Sequence, residues 1–460
     1  MRLKVIARGQ SPREVIAREQ SPREVIAREQ SPREVIARGQ SPRSNLAAFL
    51  LCLPLLACGR GSAADSGAGL AGLATRFDST ADTVYARVEG VVPATAARRL
   101  IEELRIAPEA DDTSLFTEVF EFDVDLAGRF LVYDRPTNTA MLFGADGRLV
   151  RRIGRQGAGP GEFNSSNGMV ALSDTGWALW DARNARVSRF TSAGDFRGST
   201  ITPAQFSTSN GLITDRSGTL YLKRPVTEPR EGEILGRMGL VRLRPDGSLG
   251  DSLAPPDLPV QREVYVAEQK GGRSSTSSRY APGYHWAWHP EGFFVVAHGG
   301  NYQIIATRPG ARPRAIVRSM PGVPVSEAER AEEREALLYN MRQTDPNWSW
   351  RGPPLPQTKA PLMALFLSRD GRIWARVALP SERIPDAELV PPSDPKRPVN
   401  RFRTPVAYEV FGADGTFLGR VTFPPRTTLM EADGDQVWAL GRDENDLPAL
   451  LRFRIDPALQ

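Results

Sequence analysis

From Phe122 to Ile455 the chain consists largely of short runs in which apolar and polar residues alternate, separated by turns that contain Asp and Gly. Alternation with a period of two predicts β-strands that bury one face. Short strands at regular spacing, joined by Asp-Gly turns, are typical of meander sheets in sandwiches, barrels and propellers. The pattern therefore predicts an all-β fold.

One skeleton repeats within this pattern. It has an apolar strand, a turn with Asp and Gly, a strand that ends in an aromatic residue and Asp, a polar turn, and a strand that ends in Phe. The copies lie at 122–154, 169–198, 212–251, 286–310, 365–377 with 407–423, and 430–455. Units of about 40 residues fit the blades of a β-propeller. The last copy lacks a fourth strand, which Arg98–Ile106 could supply to close the ring.

The string IGRQGAGPGEF resembles the blade end of the NHL repeat, and the matching positions are Gly154, Gly157, Gly159, Gly161 and Phe163. With a lipobox-like segment near residue 58, the chain is similar to bacterial six-bladed β-propeller lipoproteins with NHL-like repeats. The resemblance implies a six-bladed propeller over 75–460, closed by an N-terminal strand. The string lacks the Lys and Ser or Thr of a P-loop, so its glycines are expected to form tight turns between blades.

Two segments interrupt the repeats, near 323–360 and at 379–403. In the first, Ser326 and Glu329 have the spacing of a capping box, which predicts one short helical insertion. The second is rich in proline and charge, which predicts a surface loop. Long loops on a propeller tend to border its binding face, although a solvated surface excursion is the commoner outcome.

An apolar run at 44–57 is shorter than the roughly 20 residues that span a bilayer and fits the h-region of a signal peptide. It ends in LLAC, which resembles a lipobox and implies acylation of Cys58; Gly59 implies sorting to the outer membrane. An ordinary secretory signal cleaved near Ala57 is the alternative. The Gly, Ala and Ser content of 58–74 predicts a flexible tether.

Residues 1–43 repeat the unit SPREVIAREQ, whose period of ten fits neither helix nor strand and whose prolines interrupt helices. We interpret this leader as translated tandem-repeat DNA upstream of a true start near Val35; a disordered basic extension is the alternative. The leader has ten Lys or Arg and five Glu, which equals the +5 of the whole chain. The remainder is neutral, which argues against nucleic-acid binding.

The sequence offers few candidates for catalysis or metal binding. His285 and His289 lie in an alternating strand, where four residues span about 13 Å, so a zinc site is not expected. The carboxylates of Asp134, Asp181 and Asp446 could hold Ca²⁺ near the channel, as in gluconolactonase-like six-bladed enzymes. The favoured interpretation of such residues is that they accept backbone hydrogen bonds in turns.

Four tryptophans invite a carbohydrate-binding interpretation. Trp286 and Trp288 share one face of a strand, and a core between blades explains them better. Trp348 and Trp350 lie in the first insertion, where a core role is less evident. They are therefore the candidates for an exposed stacking platform that binds a ligand.

Two functions follow from these features. In the first, the protein is a lipid-anchored, monomeric binding or scaffolding module of the bacterial envelope that holds a peptide, glycan or protein partner without a cofactor. In the alternative, it is a Ca²⁺-dependent hydrolase of the lactonase or esterase type. Propellers host both classes, and the weak set of candidate catalytic residues favours binding.

Overall fold

The computed structural model describes residues 73–459 apart from 109–114, 174–175, 204–207, 209, 229–235, 261–262, 270–271, 393 and 444–445. These residues belong to one compact unit, Ser62–Gln460. The predicted leader, the h-region, Cys58 and residues 59–72 of the predicted tether lie outside the described residues. No helix in the described ranges is long and apolar enough to cross a membrane.

The described strands form six blades of four strands each, preceded by an N-terminal segment. That segment contains β1 (Leu73–Ser79), β2 (Val84–Gly90), a 3-10 turn (Ala94–Ala96) and β3 (Ala97–Ile106). Blade 1 contains β4 (Val119–Val124), β5 (Phe130–Asp134), β6 (Thr139–Phe143) and β7 (Leu149–Ile153). Blade 2 contains β8 (Ser166–Leu172), β9 (Gly176–Asp181), β10 (Arg186–Phe190) and β11 (Phe196–Ile201).

The middle of the chain forms two further blades and a hairpin between them. Blade 3 contains β12 (Leu212–Thr214), β13 (Leu220–Pro225), β14 (Met238–Leu243) and β15 (Leu249–Leu253). The hairpin contains β16 (Tyr265–Gln269) and β17 (Gly272–Thr276). Blade 4 contains β18 (Tyr284–His289), β19 (Phe293–His298), β20 (Gln303–Ala306) and β21 (Arg314–Arg318).

The last two blades follow a helical insertion. This insertion contains β22 (Val323–Pro324), α1 (Glu327–Arg342) and β23 (Thr358–Lys359). Blade 5 contains β24 (Leu362–Leu367), β25 (Ile373–Val377), β28 (Ala407–Phe411) and β29 (Phe417–Thr422). Its inserted loop has β26 (Glu382–Arg383), a 3-10 turn (Asp386–Glu388) and β27 (Phe402–Arg403). Blade 6 contains β30 (Thr427–Asp433), β31 (Gln436–Arg442), β32 (Pro448–Asp456) and β3.

The ring is closed by β3, as the sequence predicts. This strand pairs antiparallel with β32 from Arg99↔Asp456 to Ile106↔Leu450 and becomes the outermost strand of blade 6. The N-terminal and C-terminal parts of the propeller are thereby joined by backbone hydrogen bonds, and the last blade has its fourth strand. The all-β, six-bladed fold with an N-terminal closing strand and one short helix is confirmed.

The β1–β2 hairpin was not predicted from the sequence. β2 pairs in parallel with β21, from Val84↔Arg314 to Val88↔Arg318, so the hairpin extends blade 4 to six strands. Ala86 and Val88 are fully buried there, next to Ile316. The outer edge of a blade can therefore accept additional strands when they bring apolar side chains with them.

Apolar clusters between neighbouring blades form the core. Trp177 and Leu131 meet between blades 2 and 1, and both are fully buried. Trp286 and Trp288 pack with Phe294 between blades 3 and 4, which confirms their predicted core role. Each fully buried large apolar side chain contributes roughly 1.5–3 kcal/mol to stability.

The glycine-rich string between blades 1 and 2 is a compact turn. Gly154 and Gly161 have φ values of +77° and +73°, which favour glycine. A Cβ on Gly154 would lie 2.3 Å from the ring of Phe163, which is fully buried. Arg186 donates to the carbonyl oxygens of Ala158, Gly159 and Glu162 and fixes the loop. The predicted structural role of these glycines holds at Gly154 and Gly161.

Candidate functional site

Three long connections emerge on one face of the propeller. In an antiparallel four-stranded blade, the connection to the next blade and the connection between the second and third strands leave on the same side. The three connections are 254–283 before blade 4, 319–361 before blade 5, and 378–406 between β25 and β28. We call this side the insertion face and the three connections together the cap.

A buried aromatic cluster joins the first two connections of the cap. Trp348 is fully buried and packs with Tyr265 of the β16–β17 hairpin and with Leu337 and Met341 of α1. Its indole N–H donates to the carbonyl oxygen of Val266 over 2.8 Å. The hairpin and the helix are therefore held against each other by one side chain.

The helix of the cap begins as predicted. Ser326 accepts a hydrogen bond from the backbone N–H of Glu329, and the Glu329 carboxylate accepts from the backbone N–H of Ser326, which completes the capping box. The prediction of one short helix at this position is confirmed. The capping carboxylate also takes part in a buried ion pair.

That ion pair joins α1 to β23 within the second connection and links both to the third connection. The ammonium of Lys359, fully buried, lies 3.2 Å from a carboxylate oxygen of Glu329. It also donates to the carbonyl oxygen of Leu379 and to the hydroxyls of Ser381 and Thr404. Burial alone would raise the pKa of Glu329, but hydrogen bonds from Ser381 and Ser326, together with the Lys359 charge, lower it to about 2.

Two more buried carboxylates of α1 bind the first and third connections of the cap to the helix. Glu332 and Glu333 both lie 3.0 Å from the guanidinium of Arg279, which belongs to the first connection. Glu332 also accepts a hydrogen bond from the backbone N–H of Arg401 in the third connection. Tyr339 donates to Asp394 over 2.6 Å, which joins α1 to the third connection a second time. The three connections therefore form one unit.

A groove of about 360 Å³ lies beside the hairpin of the cap. It is lined by Val264, Ser275, Thr276, Ser277, Ser278, Ala281, Pro282 and Gly283. None of these residues is charged, and four carry hydroxyl groups that can donate or accept hydrogen bonds. The groove is therefore suited to an uncharged polar segment of a ligand.

A second group of polar residues lies in the central channel, which is surrounded by the first strand of each blade. Asp123 of β4 accepts a hydrogen bond from the guanidinium of Arg369, in the turn after β24. Arg369 also lies 3.7 Å from the carboxylate of Glu431 in β30. The backbone N–H of Ala171 donates to Asp123 over 2.6 Å. One arginine thus joins blades 5, 1 and 6 inside the channel.

Burial raises the pKa of two carboxyl groups on the innermost strands of blades 1 and 6. Glu121 is 2% exposed, and burial raises its pKa to about 8. Burial also raises the pKa of Glu431 to about 8, although the charge of Arg369 acts in the opposite direction. Strongly shifted carboxyl groups in a channel are candidates for function. Arg369 faces Glu431, whereas Glu121 accepts a hydrogen bond from the backbone N–H of Asn210.

Glu121, Asp123 and Arg369 were not among the site residues predicted from the sequence. Glu121 and Asp123 are two residues apart in the first strand of blade 1, so both project to the same side of it. An acid–apolar–acid pattern at the innermost position of a blade is the signal that could have revealed them. Arg369 lies in a turn 246 residues away, and no local pattern connects it with Asp123.

Two of the three predicted Ca²⁺ ligands, Asp134 and Asp181, accept hydrogen bonds from the backbone of neighbouring turns. Asp134 accepts hydrogen bonds from the backbone N–H groups of Thr117 and Glu118, both over 2.8 Å. Asp181 holds the equivalent place in blade 2 and accepts from the backbone N–H of Asn164 over 2.6 Å. Each carboxylate fixes the segment that leads into its own blade.

Asp446 is different, because it lies at the surface in ion pairs with Arg426 and Arg442. Within the described ranges, no three His, Cys, Asp or Glu side chains are grouped so that they could hold a metal ion. His289 is buried, stacks on Phe293 and lies 3.3 Å from the carbonyl oxygen of Gly371. Burial lowers the pKa of His289.

The two tryptophans predicted to bind a ligand have different positions. Trp348 is fully buried, so it offers no exposed face for stacking; the expectation fails here because the unforeseen hairpin covers it. Trp350 is half-buried beside Tyr265, with a centroid separation of 4.9 Å. The guanidinium of Arg334 covers one face of Trp350 at 4.3 Å. A ligand role for Trp350 stays a prediction.

The comparison with family models agrees with the fold. A family model described as a 6-bladed beta-propeller matches residues 107–172. No curated protein matches the chain. Among solved structures, a duf4221-family member from Bacteroides vulgatus is 11% identical over 79% of this chain and 99% of its own, with a TM-score of 0.46. Virginiamycin B lyase from Staphylococcus aureus is 12% identical over 77% and 99%, with a TM-score of 0.37.

Proposed function

We propose that the protein is a binding module of the bacterial envelope and that it holds a peptide, glycan or protein partner on the insertion face. The observation that carries this proposal is the cap, in which three separate connections are joined by buried ion pairs and by Trp348. The ring is closed without the cap, because β3 completes blade 6. The cap therefore serves a purpose other than closure.

The internal charges of the cap support a role that needs fixed geometry. Burying Lys359, Glu329, Glu332 and Glu333 requires the removal of their hydration, which ion pairs in a protein interior often only offset. Such groups give a loop assembly a single arrangement more readily than they add stability. A surface with one arrangement loses less conformational entropy when it binds a partner.

The Ca²⁺-dependent lactonase or esterase alternative has less support. It needs oxygen ligands that are free to coordinate the cation. Asp134 and Asp181 instead accept backbone hydrogen bonds, and Arg369 occupies the position of a cation between the channel carboxyl groups. Binding without catalysis is therefore the function that this geometry favours.

The envelope location belongs to the same proposal and rests on the sequence around Cys58. Acylation there would tether the propeller through the Gly- and Ala-rich segment that ends before β1. Metabolic labelling with an alkyne-bearing palmitate analogue tests it. Labelling of the full chain that disappears with Cys58→Ser supports the anchor, and an unlabelled chain contradicts it.

The groove beside the hairpin provides the test of binding on the insertion face. Ser275→Trp would fill the groove from an exposed position on β17, and Ser79→Trp places the same side chain at an exposed position on β1. Both variants and the full wild-type chain are used to capture ligands from solubilised envelopes. We expect a ligand that binds the wild type and Ser79→Trp but not Ser275→Trp. A ligand that is retained equally by all three would contradict the proposed site.

A further inference from the structure

The outer edge of blade 1 differs from the outer edges of blades 4, 5 and 6. The edge of blade 4 is covered by β2, and the edge of blade 5 is partly covered by Ala97 and Arg98 of β3. The outermost strand of blade 6 carries charges of both signs, with Arg105 paired to Glu102. β7 of blade 1 ends its sheet, and among the described residues no backbone group pairs with its free side.

The side chains of this edge are apolar and cationic. Leu149 is 38% exposed and Val150 is 61% exposed, and the two are adjacent on the strand. Arg151 and Arg152 follow them directly and are exposed, and β7 contains no acidic residue. Natural sheet edges are normally covered or blunted, because a free strand can pair with another chain.

A groove of about 350 Å³ adjoins the C-terminal end of β7, between blades 1 and 2. Its apolar part includes Ile153, the buried ring of Phe190 and the ring of Phe196, which is 39% exposed. Its charged lining consists of Arg151, Arg152 and Arg155 and one acid, Glu162. Such a groove would accept an apolar side chain whose neighbours along the chain are acidic.

The arginines of this edge retain affinity for an added carboxylate. Arg155 pairs with Glu162 over 2.7 Å, but its side chain is 82% exposed, and exposed pairs are weak and exchangeable. Arg151 pairs with Asp195, and Arg152 contacts the sulfur of Met141 without a carboxylate partner among the described residues. The edge therefore carries a positive charge in excess of its own acids.

We propose that β7 is a docking edge that binds an extended acidic segment of a partner protein as a fifth strand of blade 1. The molecule contains its own precedent, since β2 extends blade 4 in this way and buries Ala86 and Val88. The cationic side chains select the occupant, because two copies of this edge would repel each other while alternating acidic and apolar residues complement it. This site lies apart from the insertion face and does not depend on the function proposed there.

Fluorescence anisotropy with a labelled octapeptide that alternates Glu and Val, titrated with the full chain in mild detergent, tests the proposal. Three further peptides are compared: one with Lys in place of Glu, one N-methylated at every second residue, and one N-methylated at the intervening residues. Arg151→Glu with Arg152→Glu is the test variant. Arg99→Glu with Arg105→Glu on β3 is the matched control, because it reverses two exposed arginines on another blade edge.

We expect the Glu peptide to bind the wild type and the control equally, and the test variant at least about tenfold more weakly. The Lys peptide should not bind, and one of the two N-methylated peptides should lose binding, because it lacks the N–H groups that face β7. No binding of the Glu peptide, equal binding of all peptides with intact charge, or a concentration-dependent dimer that excludes the peptide would each overturn the proposal.

Discussion

Arg369 in blade 5 donates a hydrogen bond to the carboxylate of Asp123 in blade 1, and the two residues lie 246 positions apart. Blade 6 stands between those blades in the ring, so the contact is made inside the channel. Glu431 of blade 6 lies 3.7 Å from the same guanidinium. The ion pair of Arg369 and Asp123 thus bridges the channel, and Glu431 places a group of the third blade beside it.

Replacement of Arg369 by Met should destabilise the propeller. The change leaves the Asp123 carboxylate, whose residue is 8% exposed, without its counter-charge. We expect the free energy of unfolding, measured in urea, to fall by about 2–3 kcal/mol. This is less than for a fully buried ion pair, because the Arg369 side chain keeps 24% exposure. Adding Asp123→Asn should recover part of the loss, and an unchanged unfolding midpoint for Arg369→Met would contradict the bridge.

Glu121→Gln should make the stability of the protein less dependent on pH between about 4.5 and 8. The folded pKa of Glu121 is about 8, above its usual 4.5, so the folded state retains a proton that the unfolded chain releases. This group's contribution to stability is present below about pH 4.5 and is lost as the pH rises towards 8. Gln cannot ionise, so the melting temperature of the variant relative to wild type should increase across that interval. A difference that stays constant with pH would show that Glu121 is not shifted.

Lys359→Met should loosen the cap without unfolding the blades. The variant leaves the buried carboxylate of Glu329 unpaired and removes the donors to Leu379, Ser381 and Thr404. Hydrogen exchange should accelerate together in α1 and in 378–406, because the ion pair joins them. Arg351→Met is the control. It removes the ion pair of Arg351 with Asp345, which is more exposed, at 63% for the arginine side chain, so hydrogen exchange should change little. Unaltered exchange in Lys359→Met would mean that the connections are not joined.

Asp134→Asn should lower the melting temperature, and Ca²⁺ should not raise the melting temperature of the wild type. The carboxylate accepts two backbone N–H bonds and two threonine hydroxyl bonds, and an amide cannot accept all of them. A ligand that binds only the folded state must raise the midpoint. A Ca²⁺-dependent rise that Asp134→Asn abolishes would instead favour the hydrolase alternative.

The features that sequence predicted are those encoded locally. Alternation and Asp-Gly turns indicate strands directly, and the capping box of Ser326 and Glu329 marks the start of α1. The closing strand was accessible because the last repeat visibly lacked a partner for β32. Each of these signals lies within a few residues of the element that it specifies, or in a gap in a repeat.

The features that sequence did not predict depend on pairing between distant segments. Nothing near Val84–Gly90 indicates that it will lie beside β21, because either edge of an amphipathic strand can pair. The β16–β17 hairpin is short, and its second strand, GRSST, is polar throughout. Because the hairpin is not evident in the sequence, no segment is predicted to cover Trp348. In the structure, Trp348 is buried at the centre of the cap's apolar cluster.

Site-specific photo-crosslinking in intact cells tests the binding role of the insertion face most directly. A photoreactive amino acid is placed at Ser275 beside the groove of the cap and, as the control, at Ser79 on the outer hairpin of blade 4. We expect a discrete crosslinked product at Ser275 that is absent at Ser79 and diminished by Lys359→Met. A product at Ser79 with none at Ser275 would show that the partner does not bind on the insertion face.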